Sequence, residues 1–206
     1  TRRSLAALAQ QFFGGHSDLV AGCCMGSAET MAAIRSYRTI LGSIPSPHTC
    51  WLLTRSLSTL ELRMHRQCAS AAKVVAFLAS CEHVSRLHYP GLKEEEDPTF
   101  AAEFEGPGSL IAFELRGGKA QAFRLLNAVE VWVLAVSLGG TESLIEHPAS
   151  MTHACMTPQQ LLHAGVTPGL VRCSVGLEDP DELIADLRDA LESSTKMAGE
   201  GALEYA

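Results

Sequence analysis

Apolar residues between residues 48 and 78 recur every three or four positions, which is the spacing of one face of a helix. The residues of this face are Leu52, Leu53, Leu57, Leu60, Met64, Cys68, Ala71, Val75 and Leu78. The pattern predicts a long helix over 48–80, which one break can interrupt. The charged residues fall mostly off the apolar face, so we expect solvent around Arg55, Glu61, Arg63 and Arg66.

The chain before this helix predicts two shorter elements. Residues 19–26, with the sequence LVAGCCMG, predict a short buried strand that a glycine ends. Ser27 can cap a following helix, and the apolar residues Met31 and Ile34 continue it. The segment 42–47 (GSIPSP) ends this helix, because two prolines close together disfavour helical backbone.

After residue 80 the apolar spacing changes to alternation, which is typical of strands. Strands are predicted over 84–89, 109–115, 131–136 and 171–175, and helices over 119–129, over 158–164 after the cap Thr157, and from 179 onward. Residues 93–105 are charged and irregular, so we expect a surface loop there. The order of elements predicts an α+β sandwich, in which helices cover one face of a mostly antiparallel sheet.

Composition and charge exclude two classes of partner. With 206 residues, of which 47% are hydrophobic and 19% charged, the chain can bury a core as one domain or as a domain and a half. The net charge of −7 gives a nucleic-acid partner no electrostatic support. No apolar run approaches the roughly 20 residues that span a membrane, so we expect neither nucleic acid nor membrane as a partner.

The seven cysteines and eight histidines lack the spacing of metal sites. No cysteine pair has C-x-x-C spacing and no histidine pair has H-x-x-x-H spacing, so we predict no metal site and no disulfide framework. We expect reduced, mostly buried thiols, which indicate a cytoplasmic protein.

The candidate chemistry lies between residues 134 and 179. Arg172 lies in a short apolar strand, and a tight glycine turn, Gly139-Gly140, precedes it. A guanidinium that is fixed on a strand presents a planar fork of donors, and this fork matches a carboxylate. The spacing alone also fits an ordinary edge-strand arginine.

Several short sequence motifs occur in this region in a specific order and at specific spacings. They are Ser137-Leu138-Gly139-Gly140, Glu142-Ser143, His147-Pro148-Ala149, Met151-Thr152-His153 and Arg172-x-Ser174-x-Gly176-x-Glu178-Asp179. The chain resembles the C-terminal portion of the Cys/Met metabolism enzymes that depend on pyridoxal phosphate (PLP), the transsulfuration family. Within this family it looks most like methionine gamma-lyase and cystathionine gamma-lyase.

The resemblance implies an α/β protein in four parts. Residues 1–47 would be a remnant of the large PLP-binding domain of a fold-type I enzyme, and 48–80 the bridging helix. Residues 81–194 would form the small α+β C-terminal domain, and 195–206 a frayed tail.

The resemblance also implies roles for single residues. Arg172 would bind the α-carboxylate of an amino-acid substrate, and Ser137 would lie beside that carboxylate and the cofactor. Val136 and Thr152 would help to determine specificity. A buried valine at 136 offers apolar contact, which suits a thioether side chain, although plain core packing fits the same residue. The loop histidine His153 fits either a proton carrier or a local hydrogen bond.

One position departs from the family pattern. Counting back from Gly14-Gly15-His16-Ser17-Asp18, the Schiff-base lysine of the family falls on Gln11, and its neighbouring hydroxyl residues fall on Gln10 and Leu8. A glutamine amide is not the nucleophilic, titratable amine that an imine requires. We therefore expect no turnover by the family mechanism and doubt that this chain binds PLP, and a misread or recombined upstream sequence would explain the same departure.

Two functions remain open from the sequence. The chain is either part of a PLP-dependent lyase for a sulfur amino acid of the methionine, cystathionine or homocysteine type, or a catalytically inactive paralogue that assembles with a full-length relative. The resemblance also implies a homo-oligomer.

Overall fold

A computed structural model describes residues 5–8, 10–92 and 104–196. The strands are β1 Leu5–Leu8, β2 Gly22–Met25, β3 Val84–His88, β4 Leu110–Leu115, β5 Val133–Leu134, β6 Leu144–Glu146 and β7 Leu170–Ser174. The α-helices are α1 Ala28–Leu41, α2 Pro47–Leu57, α3 Leu60–Ala79, α4 Gly118–Ala128, α5 Pro158–His163 and α6 Pro180–Lys196. The chain divides into a first unit, residues 1–63, and a second unit, residues 64–206.

In the first unit, β1 and β2 form an antiparallel pair, and α1 and α2 follow. Each helix begins at a serine whose hydroxyl accepts a backbone N–H three residues later, Ser27 for α1 and Ser46 for α2. The prediction of a buried strand over 19–26 is wrong in its burial. Strand β2 is largely exposed, and Met25 has 45% of its surface accessible.

The long helix predicted over 48–80 is interrupted once, at Ser58 and Thr59, between α2 and α3. The expectation of a solvated Arg63 is wrong, because its side chain is only 4% exposed. Arg63 donates hydrogen bonds to the carbonyl oxygens of Phe12 at 2.8 Å and Ser56 at 3.1 Å. These backbone oxygens need donors where water is excluded, and the guanidinium supplies them.

The second unit contains a five-stranded sheet in the order β3-β4-β7-β6-β5. Neighbouring strands are antiparallel except for the parallel edge pair β5 and β6. The predicted α+β sandwich with a mostly antiparallel sheet is therefore confirmed. Alternation along β4 separates the two faces, since Ile111, Phe113 and Leu115 are buried while Ala112 and Glu114 are half-buried.

One face of the sheet packs into the main core. The helices contribute these buried residues to it: Ala71, Val74, Val75 and Leu78 from α3, Ala122, Leu125 and Leu126 from α4, and Leu183, Leu187, Ala190 and Leu191 from α6. The opposite face carries the polar row discussed below. In the described residues, no helix is long and apolar enough to cross a membrane.

Several sequence predictions differ from the structure in the second unit. Strand β6 was not predicted, and the strand predicted over 131–136 is reduced to the two residues of β5. Helix α6 continues to Lys196, so the predicted tail begins later than residue 195, and residues 197–206 lie outside the described residues. Most of the predicted surface loop, 93–103, also lies outside them.

All seven cysteines are free, but the expectation that most are buried is wrong. Cys173 alone among them is fully buried, and burial raises the pKa of its thiol. Cys24, Cys50 and Cys155 are exposed.

The loop between α4 and β5 depends on one carboxylate. Asp186 accepts the backbone N–H of Glu130 at 2.9 Å, of Val131 at 2.8 Å and of Trp132 at 3.0 Å. We expect Asp186→Ala to lower the free energy of unfolding by about 2 kcal/mol, because three N–H groups lose a charged acceptor. Chemical denaturation measures this loss, and Asp189→Ala, an exposed aspartate on the same helix, is the matched control. Equal stability of the two variants would contradict the prediction.

Candidate functional site

Arg172 lies at the centre of β7, between Ala112 of β4 and Glu146 of β6 in the strand register. Residues that are directly opposite in neighbouring strands point to the same face of a sheet. The three residues therefore form one row across the face of the sheet opposite the main core. His88 extends the row on β3, opposite Ala112.

The guanidinium of Arg172 is held by three acceptors. Nη2 donates to the carbonyl oxygens of Val136 at 3.0 Å and Ser137 at 2.9 Å. Nη1 lies 2.9 Å from Oε1 of Glu146. The structure thus brings Arg172 and Ser137 together, and it does so through the backbone of Ser137. The side chain of Arg172 remains 21% exposed, so part of it faces solvent.

Glu146 is the buried partner of this cluster, with 1% of its surface accessible. Its Oε1 also accepts the hydroxyl of Thr152 at 3.1 Å, and that hydroxyl lies 2.9 Å from Nδ1 of His153. Burial raises the pKa of the Glu146 carboxyl, and Arg172, Thr152, His153 and His147 oppose this shift. The role of Glu146 was not predicted from the sequence. The sequence signal that could have indicated a buried acid was a single glutamate next to two apolar residues, in the segment Leu144-Ile145-Glu146.

The turn after Ser137 is fixed from two sides. Gly139 has the positive φ of 74°, which glycine adopts without strain, and its N–H donates to the Ser174 hydroxyl at 2.9 Å. The fully buried Gln67 of α3 donates from Nε2 to the Gly140 carbonyl oxygen at 2.6 Å. These contacts position the backbone of Ser137, whose oxygen meets Arg172.

Val136 is not buried, which corrects the sequence prediction. Its side chain is 54% exposed, because β5 ends at Leu134 and the chain leaves the sheet before residue 136. The alternative of plain core packing is wrong for the same reason. Its carbonyl oxygen accepts a hydrogen bond from Arg172, and its apolar side chain is exposed.

Gln11 lies in the first unit, in the turn Gln10–Gly14. Its backbone angles, φ −76° and ψ −119°, interrupt the helical conformation, and its carbonyl oxygen accepts the N–H of Gly15 at 2.6 Å. Arg63 fixes this turn from the side through Phe12. Gly15 has a φ of 68°, which favours glycine, and a Cβ there would displace the Arg63 guanidinium.

Among the described contacts of the Arg172 cluster there is no lysine amine. Lys73 pairs with Asp181 at 3.6 Å, and the Lys119 ammonium lies over the Phe123 ring at 5.2 Å. No group of three or more His, Cys, Asp or Glu residues in the described part of the chain could hold a metal ion. The cluster can therefore bind an anion through its guanidinium, but it offers no imine-forming nitrogen.

The chain is similar to known proteins over most of its length. The family model for Cys/Met metabolism PLP-dependent enzymes matches residues 6–192. The chain is 45% identical over 189 residues to an L-methionine gamma-lyase from Pseudomonas putida, covering 90% of this chain and 48% of that protein. It is 36% identical over 192 residues to the cystathionine gamma-lyase of Saccharomyces cerevisiae, covering 91% and 49%.

The same similarity holds in three dimensions. The crystal structure of a cystathionine gamma-lyase from Micromonospora echinospora matches with a TM-score of 0.86 and 38% identity, covering 92% of this chain and 50% of that one. This match confirms the predicted α/β fold class. The chain spans about half the length of the curated relatives it matches. On the family model and these relatives, the chain belongs to the Cys/Met metabolism PLP-dependent enzyme family.

Proposed function

We propose that this chain is the portion of a PLP-dependent carbon–sulfur lyase that binds the carboxylate of a sulfur amino acid. The single observation that carries this proposal is the half-buried Arg172, whose guanidinium is fixed by Glu146 and by the carbonyl oxygens of Val136 and Ser137. A guanidinium that is already fixed in position loses little conformational entropy when it binds a carboxylate. The substrate class, methionine, cystathionine or homocysteine, is proposed from relatives named L-methionine gamma-lyase and cystathionine gamma-lyase.

The surroundings of Arg172 suit a thioether side chain. Val136 is exposed beside the guanidinium, so an amino acid whose carboxylate contacts Arg172 can cover this apolar surface with its side chain. Cystathionine carries a second, distal carboxylate. The described contacts of the Arg172 cluster include no second arginine or lysine that could bind it. The arrangement thus favours methionine over cystathionine as the ligand.

The residues present do not fit PLP as a covalently held cofactor. Gln11 occupies the place that the resemblance gives to the Schiff-base lysine, and an amide cannot form an imine with an aldehyde. We therefore propose that this chain does not turn over a substrate by itself. Reduction of a mixture with PLP by borohydride, followed by peptide mapping, should leave the peptide around residue 11 unmodified, and only Gln11→Lys can add the label there.

A second candidate function is assembly with a copy of itself or with a full-length relative. The observation that favours it is the first unit, where large apolar side chains are more than half exposed. They include Tyr37, Ile40, Leu41 and Trp51. Exposed apolar side chains of this size mark interaction surfaces. We propose a cytoplasmic homo-oligomer, and sedimentation that reports a monomer at every concentration would refute it.

Calorimetric titration with L-methionine tests the main proposal. We expect weak binding by the unaltered chain and at least about a tenfold loss of affinity in Arg172→Ala, because a charged hydrogen bond to a carboxylate contributes about 1.5–3 kcal/mol. Arg86→Ala is the matched control, since Arg86 is an exposed arginine on β3 of the same sheet. Equal affinities of the two variants would refute the role of Arg172.

A further inference from the structure

The hydrogen bonds of Arg172 leave no complete fork for a ligand. A guanidinium has five N–H donors. Both hydrogens of Nη2 are directed to carbonyl oxygens, those of Val136 and Ser137, and one hydrogen of Nη1 is directed to Glu146. One hydrogen of Nη1 remains, together with that of Nε, which is buried and has no partner.

Every parallel N–H pair of a guanidinium includes Nη2, and both hydrogens of Nη2 are already donated to carbonyl oxygens, so a ligand carboxylate contacts Arg172 through Nη1. The two carbonyl oxygens belong to the backbone of Val136 and Ser137, in the segment whose turn Gln67 and Ser174 fix. The third acceptor is the carboxylate of Glu146, which has the same chemistry and the same charge as the ligand. Glu146 is therefore the acceptor with which a substrate carboxylate competes.

The charges of Arg172 and Glu146 also favour competition between Glu146 and a ligand carboxylate. Arg172 and Glu146 together are neutral, and Glu146 is 1% exposed, so solvent screens its charge weakly. Among the described residues, the charged or titratable groups that face Glu146 are Arg172, His147 and His153. Oε2 of Glu146 is buried without a hydrogen-bond partner, so the carboxylate is only half satisfied. A proton on Oε2 would remove the competing charge and leave the Oε1 contacts in place.

We infer that Glu146 is a positioning residue that orients Arg172 and, as an internal carboxylate, limits the affinity of Arg172 for the carboxylate of a substrate. This inference rests on the proposed function, because it assumes that Arg172 is the carboxylate site. Charged Glu146 competes with the ligand carboxylate for the positive charge of Arg172, and neutral Glu146 does not. Affinity for an amino-acid carboxylate thus rises as Glu146 takes up a proton.

Glu146→Gln is the direct test, since glutamine keeps the oxygen that accepts from Nη1 and Thr152 and removes the charge. We expect L-methionine to bind about tenfold more tightly to this variant at pH 8. Lowering the pH from 8 to 5 should tighten binding to the unaltered protein and leave the variant unchanged. The ligand carboxylate stays ionised over this range, because its pKa is at or below roughly 3.5. Glu114→Gln is the matched control, as Glu114 pairs with His88 at 3.0 Å.

A second measurement uses only the unaltered protein, so it does not depend on whether a variant folds. By linkage, a ligand that competes with Glu146 must raise the pKa of its carboxyl, which the side-chain carbon resonance reports with and without L-methionine. Equal or weaker binding by Glu146→Gln, or an unmoved or lowered pKa, would overturn the inference. If the affinity of Glu146→Gln still depended on pH, the pH dependence would come from another group, such as His147 or His153, and the inference would be overturned. If neither the unaltered chain nor the Glu146→Gln variant binds L-methionine through Arg172, the proposed function fails together with the inference.

Discussion

Gly176→Ala is expected to lower the free energy of unfolding of the second unit by about 4 kcal/mol or to prevent its folding. A Cβ at this position would collide with two backbone atoms, the carbonyl oxygen of Thr141 and the carbonyl carbon of Glu142. Backbone atoms cannot rotate away as a side chain can, so the turn and the strand end must separate. Chemical denaturation measures the loss, and Gly106→Ala, where a Cβ would meet nothing within 4 Å, is the control.

We expect the disruption to reach the carboxylate site. Thr141 and Glu142 directly follow the Gly139-Gly140 turn, which positions the backbone of Ser137. The Gly176 N–H donates to the Ser143 hydroxyl at 2.8 Å, and Glu178 accepts both the N–H of Ser143 at 2.8 Å and its hydroxyl at 2.6 Å. A Gly176→Ala protein as stable as Gly106→Ala would show that this close approach is absent in solution.

Arg172→Ala is expected to lower the free energy of unfolding by about 3 kcal/mol at pH 8, independently of any ligand. The substitution leaves the carboxylate of Glu146 buried without its cation. It also leaves the carbonyl oxygens of Val136 and Ser137 without a donor. Arg86→Ala, which removes an exposed arginine from the same sheet, should leave stability nearly unchanged, and similar losses in both variants would contradict the prediction.

The pH dependence of this loss has a definite sign. Burial raises the pKa of the Glu146 carboxyl, and Arg172 opposes the shift, so its removal must raise this pKa further. An acid with a higher pKa in the folded than in the unfolded protein stabilises the fold at low pH and loses this contribution as the pH rises through the folded pKa. Stability of Arg172→Ala should therefore fall more steeply between pH 5 and pH 8 than that of the unaltered protein.

Local patterns predicted the secondary structure where local forces determine it. Helix α5 begins at Thr157 with a full capping box to Gln160 and a proline in its first turn, all of which are visible in the sequence. Alternation predicted β4, because one of its faces is buried in the main core and the other is not. Strand β6 escaped detection, since all three of its residues are buried and no alternation remains.

Long-range contacts determined the features that the sequence did not predict. Arg63 has the spacing of a solvated residue, yet it is buried because the carbonyl oxygen of Phe12, 51 residues away in the chain, needs a donor. Glu146 is paired with Arg172 only through the register of β6 and β7. Val136 was expected inside a strand, but the strand ends two residues earlier. Each outcome depends on where a distant segment folds, which spacing does not encode.

The proposed function depends on the binding of a sulfur amino acid's carboxylate by Arg172. Nitrogen-15 NMR of the arginine side chains during a titration with L-methionine tests it most directly, with L-methioninol, which has an alcohol in place of the carboxylate, as the matched ligand. We expect L-methionine to shift the Nε and Nη signals of Arg172 and L-methioninol to leave them unchanged. Identical shifts with both ligands, or no shift with either, would contradict the claim.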